Sequence, residues 1–230
     1  MIVARYETRY ADSPGGPVAY QVIGDGGLDV IVAHQPYWPI DLMWEQPALA
    51  RFLDRLSSFC RHVWFDPRGR GASERLSPWE NRIAETVSED IVAVLDDLGW
   101  ERAVLLAMGA AVPLMAATHP HRLSALVLVD TTVGRLHELS EFSPDMVNCS
   151  LAERRERWGT ESLTDLLAPT MAGDGRFRAW LARATRLTCS PELATSRALS
   201  LVETDLRPIL PTIRVPTLVI DRRGVSGMTV

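Results

Sequence analysis

The sequence is short of the features that would place it in several large functional classes. It has three cysteines in 230 residues, Cys60, Cys149 and Cys189. An odd number at wide, irregular spacing fits neither a disulfide framework nor a zinc site. No metal and no cofactor is therefore expected, and a reducing, cytoplasmic setting is the simplest home. No apolar run approaches the roughly 18 to 20 residues that a membrane span requires. The opening stretch Met1-Ile2-Val3-Ala4-Arg5-Tyr6 lacks the charged start and long apolar core of a secretory signal. Basic residues form no block and the net charge is −5, so a phosphate-tracking surface is not expected, and neither nucleic acid nor membrane is a partner. What is present is ordinary for a soluble globular domain: 47% hydrophobic and 23% charged residues. The length suffices for one α/β domain with a substantial core.

Two kinds of element alternate along the chain. Residues 18–23 read as a strand ending at the turn Gly24-Asp25-Gly26-Gly27, and residues 29–34 as a second, followed by a loop rich in proline and tryptophan. Residues 47–57 place Leu49, Phe52, Leu53 and Leu56 at helical spacing. A strand at 62–66 runs into the turn Pro67-Arg68-Gly69-Arg70-Gly71. Residues 83–98 form an amphipathic helix with Val87, Ile91, Val94, Leu95 and Leu98 on its buried stripe. A strand at 103–107, a helix at 110–119 and a strand at 126–130 follow. Continuous apolar strands separated by helices imply a parallel sheet covered on both faces. From about residue 134 to 207 the strand signal stops and helices at 151–158, 176–187 and 191–202 take over, before one last strand at 217–221. An all-helical insertion in an alternating chain reads as a cap over a sheet edge. No repeat or low-complexity tract interrupts this organisation.

The stretch VIVAHQPYWPIDLMWEQP from Val30 to Pro47, followed by ALARFLDRLSSF, resembles the α/β-hydrolase fold family. It is similar to bacterial domains of that family found alone or fused to nucleotide cyclases or helix-turn-helix regulators. Phe65-Asp66-Pro67-Arg68-Gly69-Arg70-Gly71-Ala72-Ser73 looks like the family's FDxRGxGxS turn after strand four. Leu126-Val127-Leu128-Val129-Asp130 looks like its sixth strand, and Val215-Pro216-Thr217-Leu218-Val219-Ile220 like its seventh. The resemblance covers roughly residues 8–135 and 207–224. It implies a mostly parallel sheet with helices on both faces and a cap inserted after strand six. The expected division is a first core part at 1–133, a helical cap at 134–207, and the seventh strand with the C-terminal end at 208–230, the family's last strand missing.

An active member needs a serine nucleophile on a G-x-S-x-G turn, a histidine base, an acid to orient it, and two backbone N–H donors for the oxyanion. Here the turn reads Ala107-Met108-Gly109-Ala110-Ala111, which places Gly109 at the nucleophile position. Small residues on both sides keep the steric skeleton of the elbow, and glycine tolerates its backbone conformation cheaply. The plainer reading is a tight strand-to-helix junction in a doubly wound sheet. No histidine follows the seventh strand. The family's acid falls at Val225, Asp221 lies four positions early, and Asp130 occupies an alternative acid position used by some relatives. One oxyanion donor is available at Ala110. The second falls on the third residue of His34-Gln35-Pro36, and proline has no N–H. His119 and His121 flank Pro120 on the far end of the sheet and read as surface residues. Ser73 reads as a cap on its turn, and the cysteines as unreactive.

The sequence therefore points to a hydrolase-like, catalytically degenerate protein, a pseudoenzyme that binds a small apolar ligand or a partner protein. His34, Gln35, Pro36, Tyr37, Trp38, Met108, Gly109 and Ala110 are the candidate pocket residues. Tyr37, Trp38 and Trp44 read either as flanking the pocket mouth or as packing under the cap. A second reading is an active hydrolase of a small ester or lactone with a non-standard site. A third is a remnant that has lost its acid and histidine. An unpaired seventh-strand edge predicts a homodimer or a covering segment at residues 217–221.

Overall fold

The computed structural model describes residues 6–34, 37–77, 82–108, 112–131 and 144–221. Seven strands form one sheet: β1 (Arg9–Ala11), β2 (Val18–Ile23), β3 (Asp29–Ala33), β4 (Arg61–Phe65), β5 (Ala103–Met108), β6 (Leu123–Val129) and β7 (Thr217–Ile220). Their order is β1-β2-β4-β3-β5-β6-β7. β4, β3, β5, β6 and β7 run parallel, and β2 pairs antiparallel with both β1 and β4. The helices of the first part are α1 (Pro47–Ser57), α2 (Ile83–Asp97) and α3 (Pro113–Thr118). Between β6 and β7 lie α4 (Pro144–Arg157), α5 (Leu163–Leu167), α6 (Gly175–Thr188) and α7 (Pro191–Glu203). The helical insertion thus falls after strand six, in a doubly wound parallel sheet.

Alternate residues of each strand feed two cores. Ile31 and Ala33, Val63 and Phe65, and Leu105 and Ala107 face one side, where Val87, Ile91, Val94 and Leu95 of α2 and Met115 of α3 cover them. Val30, Val32 and Trp64 face the other side, against Ile40, Met43 and Leu53. The sheet is not covered evenly. β5 alternates buried and half-buried residues, and all four residues of β7 are exposed, with Leu218, Val219 and Ile220 at 55%, 64% and 45%. Helices cover both faces of the sheet, and among the described residues the β7 end is its most exposed part.

The insertion is instead tied to the loops that follow β3 and β4. Trp180 of α6 donates its indole N–H to the Leu42 carbonyl at 3.1 Å. Its ring lies 6.1 Å from Trp38 and 5.7 Å from Phe177. The Gly71 N–H donates to the Thr188 carbonyl at 2.8 Å, and Arg183 pairs with Glu45.

Candidate functional site

Strand register assembles one edge of the sheet. β3 pairs with β4 so that Val32 lies opposite Trp64, and with β5 so that Ala33 lies opposite Ala107. One step further along, His34 falls level with Asp66 and Met108. β5 and β6 pair Met108 with Val129, and β6 and β7 pair Val129 with Ile220, which brings Asp130 beside Asp221. Ligands of open α/β sheets bind at this edge, beyond the carboxyl ends of the strands.

Of the candidate pocket residues, His34, Tyr37, Trp38 and Met108 are described, whereas Gln35, Pro36, Gly109, Ala110 and Val225 lie outside the described residues. His34 is buried, its ring 5.8 Å from that of Trp38 and 5.6 Å from that of Trp64. Its Nε2 lies 3.8 Å from Oδ1 of Asp66. The Asp66 carboxylate is already engaged, accepting the Ile40 N–H at 3.0 Å and the Ala72 N–H at 3.2 Å. It shapes the turn that follows β4 and is not free to orient a base elsewhere.

Tyr37 and Trp38 are half-buried and pack against the insertion: Tyr37 lies 6.3 Å from Trp158, and both belong to the cluster around Leu42, Trp180, Leu181 and Ala184. Trp44 departs from the pocket-mouth expectation. It stacks on Tyr6 at 4.9 Å and packs with the cluster under α1. The Trp38 indole N–H is buried with no hydrogen-bond partner among the described residues.

Of the other candidates, Ser73 is already committed, the two surface histidines and Cys60 lie away from this edge, and Asp130 and Asp221 lie at it. Ser73 accepts the Ala19 N–H at 2.7 Å and donates to the Asp66 carbonyl, which uses its hydroxyl to lock the turn. His119 and His121 follow α3 at the opposite end of the sheet. Asp221 is exposed. Cys60 is buried at the start of β4, and burial pushes its thiol up. Asp130 is the one described non-glycine residue with positive φ, at 47°. Aspartate tolerates this left-handed conformation better than most residues, at a cost the surrounding strands must over-determine.

A serine–histidine contact does exist, but at the far end of β4 and with the wrong polarity. His62 Nε2 lies 3.0 Å from Ser57 Oγ, while its Nδ1 lies 2.8 Å from the Trp64 indole nitrogen. Indole only donates, so Nδ1 accepts and the neutral ring carries its proton on Nε2. Ser57 therefore receives a hydrogen bond from the histidine and passes its own proton to the Leu53 carbonyl at 2.8 Å. A base would have to accept that proton. Burial pushes His62 down from 6.5 to about 4, so the unfolded chain binds more protons between those values. Stability from the neutral ring is complete above pH 6.5 and is lost as pH falls toward 4, about 3 kcal/mol in all. Urea unfolding across this range should show that decline, and His62→Asn should flatten it. An unchanged slope in the variant would assign the acid sensitivity to other groups.

Sequence reasoning missed a group of buried charges beside the same edge. Arg68 donates its backbone N–H to Asp90 Oδ2 at 2.8 Å, its Nε to Oδ1 at 2.5 Å, and an Nη2 proton to Glu89 at 2.7 Å. Arg197 of α7 donates to the Arg68 carbonyl at 2.5 Å. Gly69, at φ +82°, leaves the space this contact needs, since a Cβ there would sit 2.6 Å from Arg197 Nη2. The two arginines in the turn were a signal in the sequence. Their partners in α2 and α7 were not, because no local period links them.

A sequence profile of the alpha/beta hydrolase fold matches residues 41–213. Among solved structures, the chain is similar to the enol-lactonase from Burkholderia xenovorans LB400, with 22% identity, 93% of this chain and 80% of the other covered, and a TM-score of 0.70. It is similar to a hydrolase from Pseudomonas aeruginosa PA01 at 24% identity, with coverage of 99% and 83% and a TM-score of 0.65. The N-formylmaleamic acid deformylase from Pseudomonas putida S16 has 19% identity, coverage of 97% and 84%, and a TM-score of 0.72. No curated protein matches significantly by sequence. At these identities the structures speak for the fold.

Proposed function

Because this chain belongs to the alpha/beta hydrolase fold family, we propose that it uses the fold to bind a small apolar ligand, or a partner protein, without hydrolysing it. One observation carries the reading. β5 ends at Met108 and α3 begins at Pro113, and the residues between them are Gly109, Ala110, Ala111 and Val112. None of these side chains has an oxygen, nitrogen or sulfur atom, so this connection holds no nucleophile. Covalent catalysis needs a nucleophile with a base within hydrogen-bond reach. His34 is the described histidine at this edge, and it is packed between two tryptophans, stacked on Trp38 and tilted against Trp64. The half-buried rings of Tyr37 and Trp38 with Met108 supply the apolar surface, and the buried Trp38 N–H supplies a donor to orient a ligand.

The purified protein should leave p-nitrophenyl acetate and butyrate at the buffer rate and should not be labelled by a serine-directed fluorophosphonate. Gly109→Ser alone should stay near that rate, since a general base contributes roughly 10² to 10⁴ in rate. Turnover by the wild-type protein, or serine labelling, would overturn the reading. The alternative is an active hydrolase of a small ester or lactone with a non-standard site. His34 and the strained Asp130 at the same edge favour it, and loss of any activity in His34→Ala would mark the base.

A further inference from the structure

All 24 basic residues of the chain are arginine. This matters where they are buried, because a lysine can shed its proton and a guanidinium cannot. Arg70, in the turn after β4, is 7% exposed, and Arg197 of α7 is 5% exposed. Together the two guanidinium groups present ten N–H donors. Among the described residues the Arg197 side chain makes one hydrogen bond, to the Arg68 carbonyl, and its Nη1 is buried without a partner there. The Arg70 side chain makes none with any described residue, and its Nε is buried and unpartnered. Such groups are rare in folded proteins, and a buried charge without a counter-charge costs far more than an unmet neutral donor.

Asp66 and Asp90 act on Arg70 at charge range, and Asp90 on Arg197, but neither offers these guanidinium groups an acceptor oxygen. Both oxygens of Asp90 are taken by Arg68, and both oxygens of Asp66 by backbone N–H groups. Glu89 lies on the half-exposed side of Arg68. The Cys189 thiol sits close enough to both guanidinium groups to feel their charge, but burial pushes it up, so it stays protonated and brings no negative charge. Burial and the adjacent Arg70 push Arg197 down to about 9, still charged at neutral pH. Two like charges are thus buried together, and although Asp66 and Asp90 act on them through space, neither guanidinium forms an ion pair or hydrogen bond with a described carboxylate.

We infer that Arg70 and Arg197 form a binding site for a compact oxyanion, a carboxylate or a phosphate group, between the glycine turn after β4 and the middle of α7. An oxyanion supplies a further negative charge and the acceptor oxygens that the buried donors lack, and guanidinium groups recognise it through paired N–H donors. Tyr37 lies within charge range of Arg70, so the site adjoins the candidate pocket. The inference does not depend on the elbow: an active or inactive elbow leaves these buried donors equally unmet.

The test is thermal unfolding and calorimetric titration of the full chain with sodium phosphate and, separately, sodium malonate, each against sodium chloride at matched ionic strength. A saturable rise in Tm is expected with at least one of the two. Phosphate alone identifies a phosphate site and malonate a carboxylate site. Arg70→Gln and Arg197→Gln should each weaken binding about tenfold or more, whereas the exposed control Arg214→Gln should not. Arg70→Met adds a readout that separates ligand binding from structure. With one repulsive charge removed, its Tm in chloride should equal or exceed that of wild type, and its response to the anion should vanish. The inference is overturned if neither anion gives a saturable rise in the wild-type protein, or if the variants respond as it does. It is also overturned if Arg70→Met is strongly destabilised or fails to fold, since Arg70 would then already be compensated within the fold.

Discussion

Asp90→Ala is expected to lower the folding free energy by about 3–5 kcal/mol, the usual cost of removing one member of a buried ion pair. Asp90 is fully buried and takes two donors from Arg68. Its loss would leave the Arg68 guanidinium with Glu89 alone, beside Arg70 and Arg197. Burial already pushes the Asp90 carboxyl up against the pull of Arg68, so the pair exists through geometry and not through cheap solvation. Replacing both partners, as Arg68→Met with Asp90→Leu, should cost less than the single change, because no orphaned charge remains. Urea unfolding reads both effects as a shift of midpoint at constant slope. A single-variant loss below about 1 kcal/mol, within the range of an exposed ion pair, would show that the pair is solvated in solution.

The second large effect concerns the join between the insertion and the core. Trp180→Ala should cost about 3–5 kcal/mol, the range for removing a buried tryptophan. The ring packs on Trp38 and Phe177, and its N–H meets the Leu42 carbonyl across 138 residues of chain. Trp180→Phe keeps an aromatic ring and should lose less, mainly the hydrogen bond, at about 1 kcal/mol. Chemical unfolding followed by tryptophan fluorescence measures both. Equal, small losses in the two variants would mean that the insertion is held by its other ties, at Gly71 and Arg197.

Much of the framework was legible because it is written in short periods. Residues 47–57 carry helical spacing and fold as α1, with Leu53 buried. The apolar runs at 29–33 and 103–107 become the adjacent parallel strands β3 and β5. The turn at Asp66 to Ser73 was readable as a unit, since its glycines admit backbone and side-chain approaches that a Cβ would block: at Gly71 it would strike the Asp66 carboxylate. The elbow was legible only in composition, as a connection without a nucleophile. β1 was not anticipated. Three residues give no period, and the strand exists through pairing of Arg9 to Ala11 with β2.

Local sequence therefore determined the alternation of strands and helices, the glycine turn after β4, and the absence of a reactive side chain between β5 and α3. These depend on side-chain periodicity and covalent chemistry that a few adjacent residues carry in full. Tertiary structure decided that Tyr37 and Trp38 face the insertion while Trp44 turns to Tyr6. It decided that Ser57 and His62 meet with the wrong polarity for catalysis. It also decided that Arg197 arrives beside Arg70, its hydrogen bond to Arg68 spanning 129 residues. Contacts of that length leave no local pattern, because they are set by which loops the assembled sheet brings to one edge and by the space that the missing Cβ of Gly69 leaves for the Arg197 guanidinium.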